Sequence, residues 1–144
     1  MGAEENVRIM REVFSAIERR DSQRFLDLCD PNVEFHWPPS LPYGGVTHGH
    51  DYERPSWSKT WFPLQPTEAE QRMDPRVVAA SDDEVVVLWH QRGRSPVGES
   101  CDGEVLALYK LCDGKLARAQ MFYFDTAAMT TFLEKAQSRK SASG

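Results

Sequence analysis

Three side chains in this sequence are candidates for moving a proton: Tyr109, Asp125 and His36. A tyrosine hydroxyl acts as an acid or as a donor to a developing oxyanion, whereas a carboxylate or an imidazole acts as the base. Together they would support cofactor-independent isomerisation, cyclisation or dehydration of a small apolar cyclic molecule. Each base has a second interpretation, since Asp125 is placed to cap a helix and His36 faces outward if its strand alternates strictly.

Aromatic side chains recur at positions that would share one interior surface. Between residues 84 and 94 the charged positions indicate which side of the strand is exposed, and they place Trp89 and Gln91 inward. An aromatic surface with a few polar points is typical of a pocket for a flat apolar ligand, although the same residues could simply fill a core. The predicted ligand-binding residues are Trp37, Trp57, Trp61, Trp89, Gln91 and either Phe122 or Tyr123.

Neither a metal nor an organic cofactor is expected. The three cysteines lack the close pairing of zinc or redox sites, and an acidic neighbour such as Asp102 disfavours a reactive thiolate. His36, His48 and His50 could converge with Asp51, but two histidines in a loop, without a third spaced ligand on a helix or strand, are weak evidence for zinc.

Length and charge limit the class of protein further. The 144 residues, 40% apolar and 27% charged, fit one globular domain, which we place at residues 1–137 with a disordered tail at 138–144. A formal net charge of -5 without a basic stripe argues against a nucleic-acid partner. No apolar run suits a membrane helix and the first residues are acidic, so we expect a cytoplasmic protein without membrane contact.

The helices are predicted from apolar spacing and from caps. Residues 4–20 repeat apolar side chains at helical intervals, Asp21 caps a second short helix, and Pro31 ends it. Residues 51–62 can form a third helix, and helical spacing returns over residues 127–136. Two helices at the start of the chain therefore lie against a common surface.

The strands concentrate in the second half of the chain. Residues 33–37 alternate as one short strand, and the glycine- and proline-rich residues 40–49 are expected to form a loop. Short turns separate four more strands that pair antiparallel, predicted at residues 76–80, 84–94, 104–111 and 116–124. Helices followed by such strands indicate an α+β fold, in which a curved, antiparallel sheet of about five strands encloses a cavity.

Several short motifs, in order along the chain, carry a resemblance to a known family. The motifs are Arg20-Asp21, PNVEF at 31–35, PYGG at 42–45, QRGR at 91–94, DGK at 113–115 and YFDT at 123–126. In this order they resemble the SnoaL-like branch of the nuclear transport factor 2-like superfamily, which includes polyketide cyclases and ketosteroid isomerases. The resemblance covers residues 6–136 and implies a cone-shaped sheet wrapped round helices, with an internal pocket.

The resemblance also shows where chemistry known in the family is missing. It places the isomerase base at Trp37, and the tyrosine and acid that hold the oxyanion at Val13 and Ala107. A histidine of the cyclase-like members also falls at Ala107, and the carboxylate of the epoxide hydrolases falls at Phe122. None of these side chains transfers a proton at neutral pH, so steroid isomerase activity is not expected.

One extra residue between Gly114 and Asp125, relative to the family, predicts a β-bulge in the last strand. Such a bulge decides whether Phe122 or Tyr123 faces the pocket.

Two functions and one partner follow from these observations. The first function is acid-base catalysis on a small apolar compound; the alternative is non-catalytic binding or carriage of a hydrophobic small molecule. A homodimer is expected because four apolar side chains lie on the sheet face opposite the pocket, namely Val86, Leu88, Leu106 and Leu108.

Overall fold

The computed structural model describes residues 2–49 and 56–143, with side chains described up to residue 137. The helices in this part of the chain are α1 (Ala3–Glu18), α2 (Ser22–Leu28), α3 (Trp57–Trp61), α4 (Glu68–Gln71) and α5 (Thr126–Ser143), with a 3-10 turn at Phe62–Leu64. The strands are β1 (Cys29–Trp37), β2 (Gly45–His48), β3 (Arg76–Ala80), β4 (Glu84–Arg94), β5 (Ser100–Cys112) and β6 (Lys115–Tyr123). The α+β prediction is confirmed. Among the described helices, none is both long and apolar enough to span a membrane.

The described strands form one curved sheet in the order β2-β1-β6-β5-β4-β3. Strands β3 to β6 pair antiparallel with their sequence neighbours, as predicted for strands joined by short turns. Strand β1 instead pairs parallel with β6, with Phe35 opposite Ala119. The expectation of a wholly antiparallel sheet was wrong at this pair, because β1 and β6 are distant in sequence and no turn sets their relative direction.

Strand β2 was not predicted, because glycine and proline dominate the segment around it. It pairs antiparallel with β1, and Gly45 lies opposite Trp37. The chain reaches this position through a tight approach at Gly44, where a Cβ would lie 2.3 Å from the carbonyl oxygen of Pro38. Only glycine fits there without a backbone shift. The glycine- and proline-rich residues that predicted a loop therefore form the turn that precedes β2, an edge strand of the sheet.

The predicted bulge in β6 is present. Lys110 of β5 lies opposite Arg118, whereas the next residue, Leu111, lies opposite Leu116, so Ala117 is the extra residue. A bulge of this kind exchanges the faces of all later side chains relative to a regular strand. It therefore sets which residues at the end of β6 face the interior.

Two predicted helices differ from the described ones in extent. Helix α3 begins after Ser56, whose hydroxyl accepts a hydrogen bond from the Lys59 amide. The first part of the predicted helix over 51–62 lies outside the described residues, as do Tyr52, His50 and Asp51. The predicted end of the last helix at Ala136 was wrong, since its backbone stays helical to Ser143. The domain boundary at residue 137 stays a prediction.

Helix α1 supplies one wall of the main core. Its apolar face carries four side chains that are at most 4% exposed, and these pack on the inner face of β4, β5 and β6, namely Ile9, Met10, Val13 and Phe14. Burying each such side chain contributes about 1.5–3 kcal/mol. The inner face of β4 is formed by Val85, Val87, Trp89 and Gln91, as predicted from the alternation.

A second cluster lies under helix α5. Trp61 is fully buried here, stacked on Phe132 with 5.9 Å between the ring centroids, and Tyr43 and Met129 complete the packing. Gly93 of β4 permits this contact, since a Cβ at that position would lie 2.7 Å from the Trp61 ring. The tryptophan therefore rests directly on the backbone of the sheet.

Helix α1 ends with a Schellman motif in which Arg20 is the left-handed residue. The amide of Asp21 donates to the Ala16 carbonyl (2.9 Å) and the amide of Arg20 donates to the Ile17 carbonyl (3.1 Å). Arg20 takes the left-handed conformation with φ 62°, which glycine adopts at lower cost. The backbone conformation directs the Arg20 side chain toward the site described next.

Candidate functional site

A cavity of about 260 Å³ lies between α1, α2, α3 and the inner face of the sheet. Helix α1 lines it with Val13, Phe14 and Ile17, and β6 lines it with Ala119 and Met121. The walls are mostly apolar, and the volume is close to the lower end of small-molecule sites, roughly 300–1,000 Å³. The cavity therefore has the size and surface for a small organic ligand.

One wall is a row of aromatic rings, which we call the aromatic row: Phe25, Phe35, Trp37 and Trp57. Trp37 and Trp57 lie 6.3 Å apart with 6° between their planes, and Phe35 lies 6.4 Å from Trp37 at 15°. Phe25 continues the row, 6.1 Å from Phe35. Nearly parallel rings along one wall offer stacking surface to a flat ligand.

Beside the aromatic row, the inner face of the sheet carries two hydrogen-bond donors, which we call the donor pair: Trp89 on β4 and Tyr109 on β5. The Trp89 ring lies 6.3 Å from that of Trp57. Both residues are buried and both line the cavity. The indole nitrogen Nε1 of Trp89 has no aligned hydrogen-bond partner among the described residues. Burial raises the pKa of Tyr109 well above its ordinary value, and the nearby indole N–H of Trp89 opposes this rise. Tyr109 is therefore a neutral donor at any physiological pH.

Gln91 fixes the orientation of Trp57 through a hydrogen bond. The indole N–H of Trp57 donates to Oε1 of Gln91, which is 1% exposed. The amide nitrogen of Gln91 has no partner among the described residues. Gln91 does not line the cavity, so its predicted role in direct ligand contact is wrong, and it acts through Trp57.

Arg20 and Asp21 are the charged residues among those described that line the cavity. The Arg20 guanidinium donates to the Ile17 carbonyl (2.9 Å) and to Oε1 of Gln65 (2.6 Å), and its central carbon lies 3.7 Å from the centre of the Phe62 ring. The carboxylate of Asp21 is exposed and accepts from the Arg24 amide, as predicted for the cap of α2. Desolvation lowers the pKa of Arg20, but a guanidinium stays charged at neutral pH.

The three predicted acid-base residues do not converge. Tyr109 lines the cavity, but Asp125 is exposed and accepts from the Ala128 amide (2.9 Å), as an N-cap of α5. His36 lies on the other face of the sheet, where its Nε2 contacts Glu34 (3.0 Å). The pairing of Tyr109 with Asp125 or His36 as the base is therefore wrong. The second interpretation of each base, a helix cap and an outward strand residue, fits the geometry.

The predicted lining aromatics divide into two groups. Trp37, Trp57 and Trp89 line the cavity, whereas Trp61, also predicted to bind the ligand, belongs to the second core cluster. Its indole N–H donates to the Tyr43 hydroxyl (2.9 Å). Trp61 does not line the cavity as predicted, because helical spacing places Trp57 and Trp61 on one face at the two ends of α3 but does not show which surface each side chain contacts.

The bulge in β6 resolves the alternative between Phe122 and Tyr123. Phe122 is 52% exposed on the outer face, so it does not line the cavity. Tyr123 faces inward, and its hydroxyl lies 2.7 Å from the Tyr43 hydroxyl. Burial raises the pKa of Tyr43 to about 12 and that of Tyr123 well above its ordinary value. This tyrosine pair adjoins the cavity through Tyr43, which lines it.

Sequence reasoning missed Arg20 and Tyr43 as lining residues. Arg20 is the last residue of the predicted first helix, and Tyr43 lies in the predicted loop at residues 40–49. No local signal marked Arg20, because the left-handed position after a helix is usually taken by glycine or asparagine. Of the positions at which the family resemblance places isomerase groups, Val13 and Trp37 line the cavity and Ala107 is fully buried beside it.

Among the described residues, no group of three or more His, Cys, Asp or Glu side chains is arranged to hold a metal ion. His50 and Asp51 of the H-x-H motif lie outside the described residues.

A family model described as the SnoaL-like domain matches residues 10–119, which is more than half of the chain. The chain belongs to the SnoaL-like domain family. The resemblance proposed from the motifs is thereby confirmed. A comparison of this SnoaL-like domain with curated proteins found no match.

Solved structures show the same fold for this SnoaL-like domain. TerC, co-crystallised with polyporic acid, has a TM-score of 0.74 at 22% identity, covering 90% of this chain and 98% of TerC. An NTF2-like protein of unknown function from Burkholderia pseudomallei has a TM-score of 0.68 at 22% identity, covering 90% and 97%. A candidate SnoaL-like polyketide cyclase from Jannaschia has a TM-score of 0.65 at 19% identity, covering 89% and 91%. At these identities the likeness shows the fold alone.

Proposed function

We propose that this SnoaL-like domain binds a flat apolar small molecule that carries an oxygen acceptor. The observation that supports this most directly is the donor pair, Trp89 and Tyr109, which lines one cavity together with the aromatic row. The rings accommodate the body of the ligand by stacking, and the donors orient one oxygen.

The energetics of the donor pair favour an occupant with an acceptor. A buried donor without a partner costs about 1–3 kcal/mol. A ligand oxygen placed between Trp89 Nε1 and the Tyr109 hydroxyl removes that cost, whereas an apolar ligand of the same shape keeps it. The cavity therefore discriminates between two molecules of equal size by one oxygen atom.

The names of two structural neighbours support a small organic ligand. One neighbour was co-crystallised with polyporic acid, and another is a candidate polyketide cyclase. Polyporic acid is accordingly a suitable compound to test on this chain alongside synthetic probes.

Catalysis in the same cavity is the second candidate function. Two donors that meet at one oxygen are the arrangement that stabilises an enolate during proton transfer, as isomerases, cyclases and dehydratases require. Asp21 lines the cavity, but its carboxylate already caps α2, and neither Asp125 nor His36 is among the residues that line the cavity. Binding is therefore the function that the described geometry supports better.

A matched pair of probes tests the binding proposal. We expect 2-acetylnaphthalene to bind more tightly than 2-isopropenylnaphthalene, in which a CH₂ group replaces the carbonyl oxygen. In the Tyr109→Phe variant the ketone should lose about three- to tenfold in affinity, because one hydrogen bond is worth about 1 kcal/mol, while the alkene should be unaffected. Isothermal titration calorimetry measures both affinities. Equal affinities in the natural protein, or a Tyr109→Phe variant with the same preference, would contradict the proposal.

The same ketone separates binding from catalysis. In deuterated water, an enzyme that stabilises the enolate accelerates exchange of the acetyl protons, and NMR spectroscopy follows their loss. Binding without accelerated exchange would rule out the catalytic candidate for this ketone and leave the binding function.

We also propose that two copies of the chain pair through the outer face of the sheet. Leu106 and Phe122 lie opposite each other on neighbouring strands there and are 41% and 52% exposed, next to the half-buried Val86, Leu88 and Leu108. An apolar patch of this kind is unusual on a sheet face that meets only water.

Sedimentation equilibrium tests the dimer. The natural protein should sediment at twice 16.4 kDa, and the double variant Leu106→Glu, Phe122→Glu should sediment as a monomer because it places charges in the interface. Val97→Glu, which changes an exposed apolar residue outside this patch, is the control. A monomeric natural protein at micromolar concentration would show that no such dimer forms.

A further inference from the structure

Arg20 reaches the cavity from an unusual backbone position. As the left-handed residue after α1, it stands where glycine would fit at lower cost, and its side chain folds over Phe62 to line the cavity. Two of the five guanidinium N–H groups are used, in bonds to Ile17 and Gln65. The other donors have no hydrogen-bond partner among the described residues.

Within the described residues, the charge of Arg20 has no carboxylate counter-ion. No carboxylate among the described residues forms an ion pair with it, in contrast to Arg8, Arg24, Arg92 and Arg94, which each contact one. Asp21 lines the same cavity but its carboxylate is exposed and accepts from the Arg24 amide. A half-buried guanidinium that keeps its charge beside an apolar cavity is suited to an anionic group on the ligand.

We propose that Arg20 makes the cavity selective for ligands with an anionic end, such as a carboxylate or an ionised phenol or enol, over neutral molecules of the same shape. This inference rests on the proposed binding function and adds the charge of the ligand to it. The aromatic row holds the apolar body, and Arg20 pairs with the charged end, so the ligand is amphiphilic and enters in one direction.

The net charge of the protein opposes the binding of anions, so a preference for the anionic ligand would not be expected from the protein as a whole. At -5 overall, the chain repels anions in general. A preference for the anionic member of a matched pair therefore has to come from a local positive group. Arg20 is the cationic residue among the described ones that line the cavity.

The test uses 2-naphthoate and 2-naphthamide, which have the same shape and differ in charge. In the natural protein we expect 2-naphthoate to bind about tenfold more tightly, since a charge-assisted bond at a half-exposed site exceeds a neutral one by about this factor. Arg20→Gln should remove the preference by weakening the binding of 2-naphthoate alone, and Arg20→Lys should keep part of it. Asp21→Asn, which preserves a capping side chain, should strengthen binding of the anion. Calorimetry measures all affinities.

The outcomes separate this inference from the proposed function. If Arg20→Gln weakens the affinity for 2-naphthoate and for 2-naphthamide equally, Arg20 only supports the cavity wall. This result would overturn the inference. Equal affinity for the two compounds in the natural protein would overturn it as well, while the binding function would stand. Failure of 2-naphthamide, 2-naphthoate and 2-acetylnaphthalene to bind at all would contradict the binding function and the inference together. Arg20→Gly, which removes the left-handed strain, gives a well-folded second variant should Arg20→Gln fold poorly, and it should also lose the preference.

Discussion

Replacing Trp61 with alanine is expected to lower the free energy of unfolding by about 3–5 kcal/mol, the range measured for buried large aromatic residues. Trp61 is fully buried, stacks on Phe132 and donates its indole N–H to Tyr43. The variant leaves a cavity in the second core cluster and removes one of the two hydrogen bonds at the Tyr43 hydroxyl. Because domains are typically stable by only about 5–15 kcal/mol, denaturation in guanidinium chloride followed by circular dichroism should show a large shift of the midpoint.

Trp57→Ala is the matched control for this prediction. The two tryptophans lie in the same short helix, but Trp57 is only half-buried and lines the ligand cavity. Its loss should cost less stability and weaken binding of 2-acetylnaphthalene at least tenfold, because a stacking surface of the aromatic row is removed. If Trp61→Ala were as stable as the natural protein but no longer bound ligand, Trp61 would be a lid residue and the described packing would be wrong.

Filling the cavity from β6 should abolish binding. Ala119 is fully buried, lines the cavity and lies opposite Tyr109 on the neighbouring strand. In Ala119→Phe the new ring occupies the space between the donor pair and the aromatic row, so we expect the affinity for 2-acetylnaphthalene to fall more than a hundredfold. Stability should change little, because the added ring enters empty space rather than a filled core. Calorimetry and denaturation together check both parts.

Ala117→Phe serves as the control for the filling variant. Ala117 is the bulge residue of the same strand and is not among the residues that line the cavity. This variant should bind the ketone as the natural protein does. Binding retained in Ala119→Phe would mean that the ligand occupies another surface, such as the apolar patch around Leu106 and Phe122.

The fold could be predicted largely because its strands are adjacent in sequence. In β4, buried residues such as Val87 and Trp89 alternate with half-buried ones over the whole strand, and the turns on either side fix antiparallel partners. The parallel pairing of β1 with β6 and the short edge strand β2 could not be predicted in this way. Both depend on contacts between segments that no local pattern links.

The candidate site was predictable where it follows from strand alternation and not where it depends on tertiary contact. Trp37, Trp89 and Tyr109 were placed inward by the period of their strands, and all three line the cavity. Asp125 illustrates the limit, since one carboxylate before a helix suits a cap and a base equally in sequence, and only the distance to Tyr109 decides. The role of Arg20 depends on a left-handed backbone angle that a sequence does not display.

The most direct test of the central claim is the indole N–H resonance of Trp89 in a ¹H–¹⁵N correlation spectrum. The chain has four tryptophans, so each indole signal can be assigned with one conservative variant. On addition of 2-acetylnaphthalene, the Trp89 proton should move downfield because its N–H acquires an acceptor, whereas 2-isopropenylnaphthalene should cause no such shift. A saturated ketone complex in which the Trp89 resonance stays unmoved, or moves equally with the alkene, would contradict the account of this cavity as a site that orients a ligand oxygen.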